Sequence, residues 1–140
     1  MASFVYNSAK QKLLDGSIDL DTDTIRVALV TSSYSADQDS HEDYADITNE
    51  VVGDGYVAEG AELANKSVTK DTTNDRGVFD ADDVTWEDSS ITARGAIVYK
   101  DSGTAATSWF IRYIDFGADK TSTEGNFTIT WSEDGILYIG

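Results

Sequence analysis

The sequence predicts a mainly β fold, an antiparallel β-sandwich or jelly-roll-like single domain over residues 1–140, with one amphipathic helix at its N-terminal end, residues 1–16. Three observations carry that expectation. Beyond Gly16 the apolar period shortens from about 3.6 residues to 2, the change from a helical stripe to strand alternation. Short apolar runs then recur at intervals of roughly 8 to 15 residues with no helical pattern between them, which favours antiparallel pairing over parallel α/β units. A chain of 140 residues with 40% apolar content can fill one core, and with no cysteine it has no disulfide or thiolate chemistry to rely on.

In chain order, Tyr6, Ala9 and Leu13 fall at helical spacing, with Val5 and Leu14 widening the stripe, Ser3 placed as N-cap and Gly16 as the left-handed stop. Lys10 and Lys12 lie in the last turns, where cations complement the helix dipole, and no acid precedes Asp15. In 24–31, Ile25, Val27 and Leu29 alternate with Arg26, Ala28 and Val30; both sets are largely apolar, as in a central strand covered on both faces. Residues 32–54 are polar, with a short helix expected around 41–51 and a turn at Gly53-Asp54-Gly55. Strands at 76–80 and 84–87 flank the acidic corner Asp80-Ala81-Asp82-Asp83, and stronger ones follow at 92–100, 109–116, 127–131 and 136–139. Within 127–131, Phe127, Ile129 and Trp131 share the face expected to enter the core. Because the chain has no proline, its sheet edges must be blunted by charge or by a neighbouring subunit.

Charge excludes whole classes of function. Ten basic residues against 26 acidic ones give a net charge of -16, which repels nucleic acid and anionic membrane surfaces alike. No apolar run approaches a membrane span and no secretory signal opens the chain, so a soluble, cytosolically made protein is expected. The catalytic inventory is thin. His41, the sole imidazole, lies in Asp39-Ser40-His41-Glu42-Asp43; triads are assembled by folding and not by adjacency, and the expectation is a solvated loop histidine beside carboxylates. Asp80 and Asp115, each next to a phenylalanine, are the acids expected to be partly buried and shifted, as strand-end or turn aspartates. Asp19, Asp21 and Asp23 imitate the start of a calcium loop, but Thr24 stands where glycine is needed and Val30 where a bidentate glutamate is needed. Turn chemistry is the expectation there and for Asp80, Asp82 and Asp83. No catalytic residue, cofactor or metal site is expected.

Two residue types point to binding instead. Trp86 and Trp109 would stack on sugar rings if they lined a groove, as in a carbohydrate-binding module, although their strand spacing favours core packing. Arg94, between Ala93 and Gly95, and Arg112, between Ile111 and Tyr113, each emerge from an apolar strand; such an arginine pairs with a carboxylate of its own chain or serves an interface.

Longer strings carry a resemblance. Tyr-Asn-Ser-Ala-Lys at 6–10, Leu-Leu-Asp-Gly at 13–16, Ile-Asp-Leu-Asp-Thr-Asp-Thr-Ile at 18–25, Val-Ala-Leu-Val-Thr at 27–31 and Phe-Asp-Ala-Asp-Asp-Val-Thr-Trp at 79–86 resemble a family of small virion proteins encoded by tailed bacteriophages and prophages. The likeness continues through Tyr-Ile-Asp-Phe-Gly at 113–117 and Phe-Thr-Ile-Thr-Trp at 127–131, and none of these strings is a catalytic signature. The resemblance implies a non-enzymatic structural component of the particle, a capsid decoration or cement protein. It would be made in the bacterial cytoplasm and bind the major capsid protein on the virion surface; a tail or fibre-associated role is the alternative. The apolar C-terminal run Ile136-Leu137-Tyr138-Ile139 leads to the expectation of a closed homo-oligomer, with a trimer favoured by the resemblance. Phe4, Tyr6, Lys10 and Lys12 are the candidate lattice contacts, and Arg94, Arg112 and Ile139 the candidate subunit contacts.

Overall fold

The computed structural model describes residues 2–140. In chain order they form strand β1 (Phe4–Val5), helix α1 (Asn7–Asp15), β2 (Ile25–Val30), a 3-10 turn (Tyr44–Asp46), β3 (Ala61–Glu62), β4 (Ser67–Asp71), β5 (Arg76–Asp80), β6 (Val84–Ser89), β7 (Thr92–Lys100), a second 3-10 turn (Ala105–Thr107), β8 (Phe110–Thr121), β9 (Gly125–Ile129) and β10 (Leu137–Ile139). The fold is mainly β, with antiparallel sheets and one α-helix, as expected.

One layer is a five-stranded sheet in the order β1-β8-β7-β2-β3. Strand β7 lies inside it because Gly95 through Tyr99 are all small or apolar and are buried between β2 and β8. Glycine is required at 95: a Cβ there would come within 2.7 Å of the Tyr113 hydroxyl and 2.8 Å of the Ile114 carbonyl oxygen. The second layer combines a three-stranded sheet, β10-β5-β4, with the ribbon β6-β9. Since β5 runs into β6 through the acidic corner and β9 runs into β10, the β9–β10 stretch forms the outer edge of this layer. Phe116 of the first layer meets Phe127 of the second with ring centroids 6.2 Å apart. The opposite face of the five-stranded sheet is covered by α1 and the polar connection after β2, through Tyr6 on Phe110, Tyr44 on Tyr99 (both 5.1 Å) and Tyr34 on Tyr113 (5.9 Å). Glu50 anchors that connection by accepting hydrogen bonds from the Tyr44 and Tyr56 hydroxyls and the Glu59 N–H.

Several expectations are corrected. The helix begins at Asn7 and not after Ser3, because Phe4 and Val5 pair with Tyr113 and Arg112 as the edge strand β1. Ser3 accepts from the Asp115 N–H (2.9 Å) instead of capping, while the Asn7 N–H donates to the Gln38 carbonyl. Gly16 does terminate the helix, at φ 83°, but Leu14 is 89% exposed and the buried face is Ser8 and Ala9. The helix expected at 41–51 is a single 3-10 turn, with Asp43 and Asp46 forming a reciprocal capping box. Trp131 does not enter the core with Phe127 and Ile129. It lies beyond the end of β9, half-buried, its backbone N–H on Asp83 Oδ1 (3.0 Å) and its indole N–H on the Asp82 carbonyl (2.8 Å), which hold it over the acidic corner.

Candidate interaction site

The four lattice candidates separate into two pairs. Tyr6 is fully buried, packed on Phe4 (5.1 Å) and Phe110, with its hydroxyl 3.0 Å from that of Tyr34, which in turn lies 2.8 Å from His41 Nδ1. Burial pushes the Tyr6 phenol far up and that of Tyr34 to about 12. Phe4 and Tyr6 therefore belong to the aromatic layer that fastens the N-terminal segment to β8, and Tyr6 is not available to a partner. His41 is likewise not a free loop residue but the half-buried end of this tyrosine chain. Lys10 is exposed, its ammonium donating to Asn7 Oδ1 (3.0 Å). Lys12 and Lys100 lie 5.0 and 5.3 Å from the ring centre of half-buried Trp109. Trp86 is only 7% exposed and has no face for a sugar.

The acidic residues are engaged locally. Asp19 Oδ1 accepts from the N–H groups of Asp21 and Thr22, and Asp23 accepts from the Asp19 N–H and pairs with Lys100 (3.0 Å). Asp80 bonds the Ala81 N–H, Asp82 the Asn65 amide and Asp83 the Trp131 N–H. Turn chemistry thus accounts for both clusters, and among the described residues no three His, Cys, Asp or Glu side chains are placed to hold a metal. Asp115 is held at about pKa 2, first by the Arg94 guanidinium (Nε to Oδ1, 2.9 Å) and then by the Gly117 N–H.

Arg112 differs. One guanidinium nitrogen, Nη1, donates to the Ile136 carbonyl (2.7 Å), while Nε is buried without a partner, and among the described residues no carboxylate lies within ion-pair reach. It stands at one end of a groove of about 560 Å³ between β8 and the β9–β10 edge. Ile114 and Phe116 follow Arg112 at alternate positions of β8, Phe127 and Ile129 face them from β9, and Lys120 is on the rim. Ile139, 65% exposed, is on the outer strand β10 beside Tyr138, over whose ring Arg76 sits (4.7 Å). The seven candidates therefore do not converge: two are in the aromatic layer, two on α1, Arg94 is in an ion pair, Arg112 is in the groove and Ile139 is on an edge. Ile114, Phe116 and Lys120 were not among them, because alternation along β8 reads the same whether the opposing layer covers it or stops short.

The chain matches no family model, and comparison with curated proteins and with solved structures finds no similar protein.

Proposed function

We propose that this chain is a non-enzymatic structural protein of a tailed bacteriophage particle, a capsid decoration protein that docks on the major capsid protein and acts as a closed homo-oligomer, a trimer. The observation that most supports this reading is how the strings resembling that virion family are used. They form α1, β2, the β5–β6 corner, β8 and β9, and their aspartates cap turns or pair with cations of the same chain. What they leave open is an apolar groove with a guanidinium, a surface suited to holding another molecule in place. A charge of -16 keeps such a protein soluble at high copy number before assembly, and the exposed Tyr138 and Ile139 on edge strand β10 offer a subunit contact. The test is quantitative mass spectrometry of particles purified from the phage or induced prophage that encodes the chain, with gold-labelled antibody to locate it. The expected result is a copy number comparable to the major capsid protein and label on the head. Label on the tail would replace the decoration role with a tail role, and absence from particles would end the assignment.

A further inference from the structure

The groove is the open side of the sandwich. Among the described residues, β8 beyond Tyr113 has a neighbouring strand only on the β7 side, and β9 has one only on the β6 side. Residues 126–132 line the groove without a gap. Successive side chains of a strand point to opposite faces, so an unbroken run of lining residues means that the edge of β9 itself, with its backbone N–H and C=O groups, borders the opening. The walls inside are apolar, supplied by Ile114, Phe116, Phe127 and Ile129.

Charge indicates what fits there. Arg26, Arg76 and Arg94 each reach a carboxylate, at 3.8, 2.9 and 2.9 Å, in a chain with 26 acidic residues. Among the described residues, Arg112 alone of the arginines reaches none, and its buried Nε makes no hydrogen bond. A guanidinium presents its donors as a planar fork matched to a carboxylate, so an acid brought to Arg112 would supply the ion-pair partner that the chain's own acids do not. Lys120, eight positions along β8 from Arg112, adds a second positive charge to the groove lining. Every apolar strand of this chain is already paired in its own sheet, so a second copy has no free strand to insert.

We propose that this groove receives an extended segment of another protein as an added strand along β9, antiparallel to it, with alternate apolar side chains against Ile114, Phe116 and Phe127 and an acidic side chain on Arg112. This is strand addition, in which the backbone ladder supplies affinity and the side-chain pockets supply specificity. It requires no assumption about the particle and stands or falls separately from it.

The probe is the peptide acetyl-Asp-Thr-Val-Thr-Val-Thr-Val-amide, which places Asp and the three Val residues on one face, compared with the same peptide carrying Asn in place of Asp. Amide NMR of the isotope-labelled protein should show shifts confined to residues 112–121 and 126–136, with the Asp peptide binding at least tenfold more tightly than the Asn peptide. In Arg112→Met, which keeps the apolar stem, both peptides should bind equally; Arg112→Gln serves the same purpose if the Met variant does not fold. Lys120→Gln should weaken the salt dependence and keep the Asp preference. The proposal is overturned by an absence of shifts at millimolar peptide, by shifts elsewhere, or by an Asp preference that survives loss of Arg112. Shifts of the groove amides with protein concentration alone would assign it to a second copy instead.

Discussion

Tyr113 and Arg112 are adjacent on β8, so their side chains leave the strand on opposite faces, and the two faces are finished differently. On the Tyr113 side, α1 and the connection after β2 lay Phe4, Tyr6 and Tyr34 over the sheet, and the titratable groups met there are paired, Tyr6 with Tyr34, Tyr34 with His41 and Asp115 with Arg94, while the buried Ser8 hydroxyl has no partner among the described residues. On the Arg112 side the second layer ends at β9, so Ile114 and Phe116 border a groove and a guanidinium nitrogen has no acceptor. The strand is the same on both sides. What differs is whether an element lies over it, so that apolar side chains are closed off on one face and border a groove on the other.

Truncation on the covered face should have the largest effect. Phe110→Ala removes a fully buried ring packed on Tyr6 and should cost about 3–5 kcal/mol in denaturant unfolding; a loss below about 1 kcal/mol would show that the aromatic layer is not close-packed. Next comes Arg94→Met, expected to lower stability at neutral pH by less than Phe110→Ala does, through loss of the pair with Asp115, whose side chain is 8% exposed. Its pH dependence carries a definite sign. The Asp115 carboxyl is depressed to about 2 in the folded protein, so its contribution is fully present above its unfolded value of about 4 and is lost as pH falls towards 2. The variant should therefore lose less stability than wild type over that acid interval, and parallel acid curves would show that the pair contributes nothing.

On the open face the effects should shrink. Trp131→Ala should cost about 1 kcal/mol, less than the loss expected of a core tryptophan, because the ring is half-buried and held by two hydrogen bonds to the acidic corner. Arg112→Met should change stability by less than about 1 kcal/mol in either direction, since it removes one hydrogen bond to Ile136 and at the same time an unsatisfied buried donor. A loss as large as that of Phe110→Ala would mean that the two faces are equally closed.

Strand alternation made β2, β5 and β7 readable nearly to the residue, because each has a continuous apolar or alternating pattern between turn signals. Strand β4 was not readable: Ser-Val-Thr-Lys-Asp is largely exposed and its order comes from pairing with β5 alone. Val5 fits a helical stripe as well as a strand, and only the edge of β8, more than a hundred residues away, decides between them. The site was half legible for a related reason. Arg94 and Arg112 look equivalent in sequence, and the choice between an internal ion pair and an open groove depends on whether Asp115 or the Ile136 carbonyl lies opposite.

The pairing of Phe4 with Tyr113 also sets a clock. The two residues are 113 − 4 = 109 positions apart, so at synthesis rates of about 5–20 residues per second β1 is made roughly 5–20 s before its partner strand. Throughout that interval Phe4 and Tyr6 have no β8 to cover them, whatever the intrinsic speed of folding. The time during which the aromatic N-terminal segment is open to other nascent chains is thus governed by the ribosome, and slowing translation between residues 7 and 113 lengthens it without altering a single contact of the finished protein.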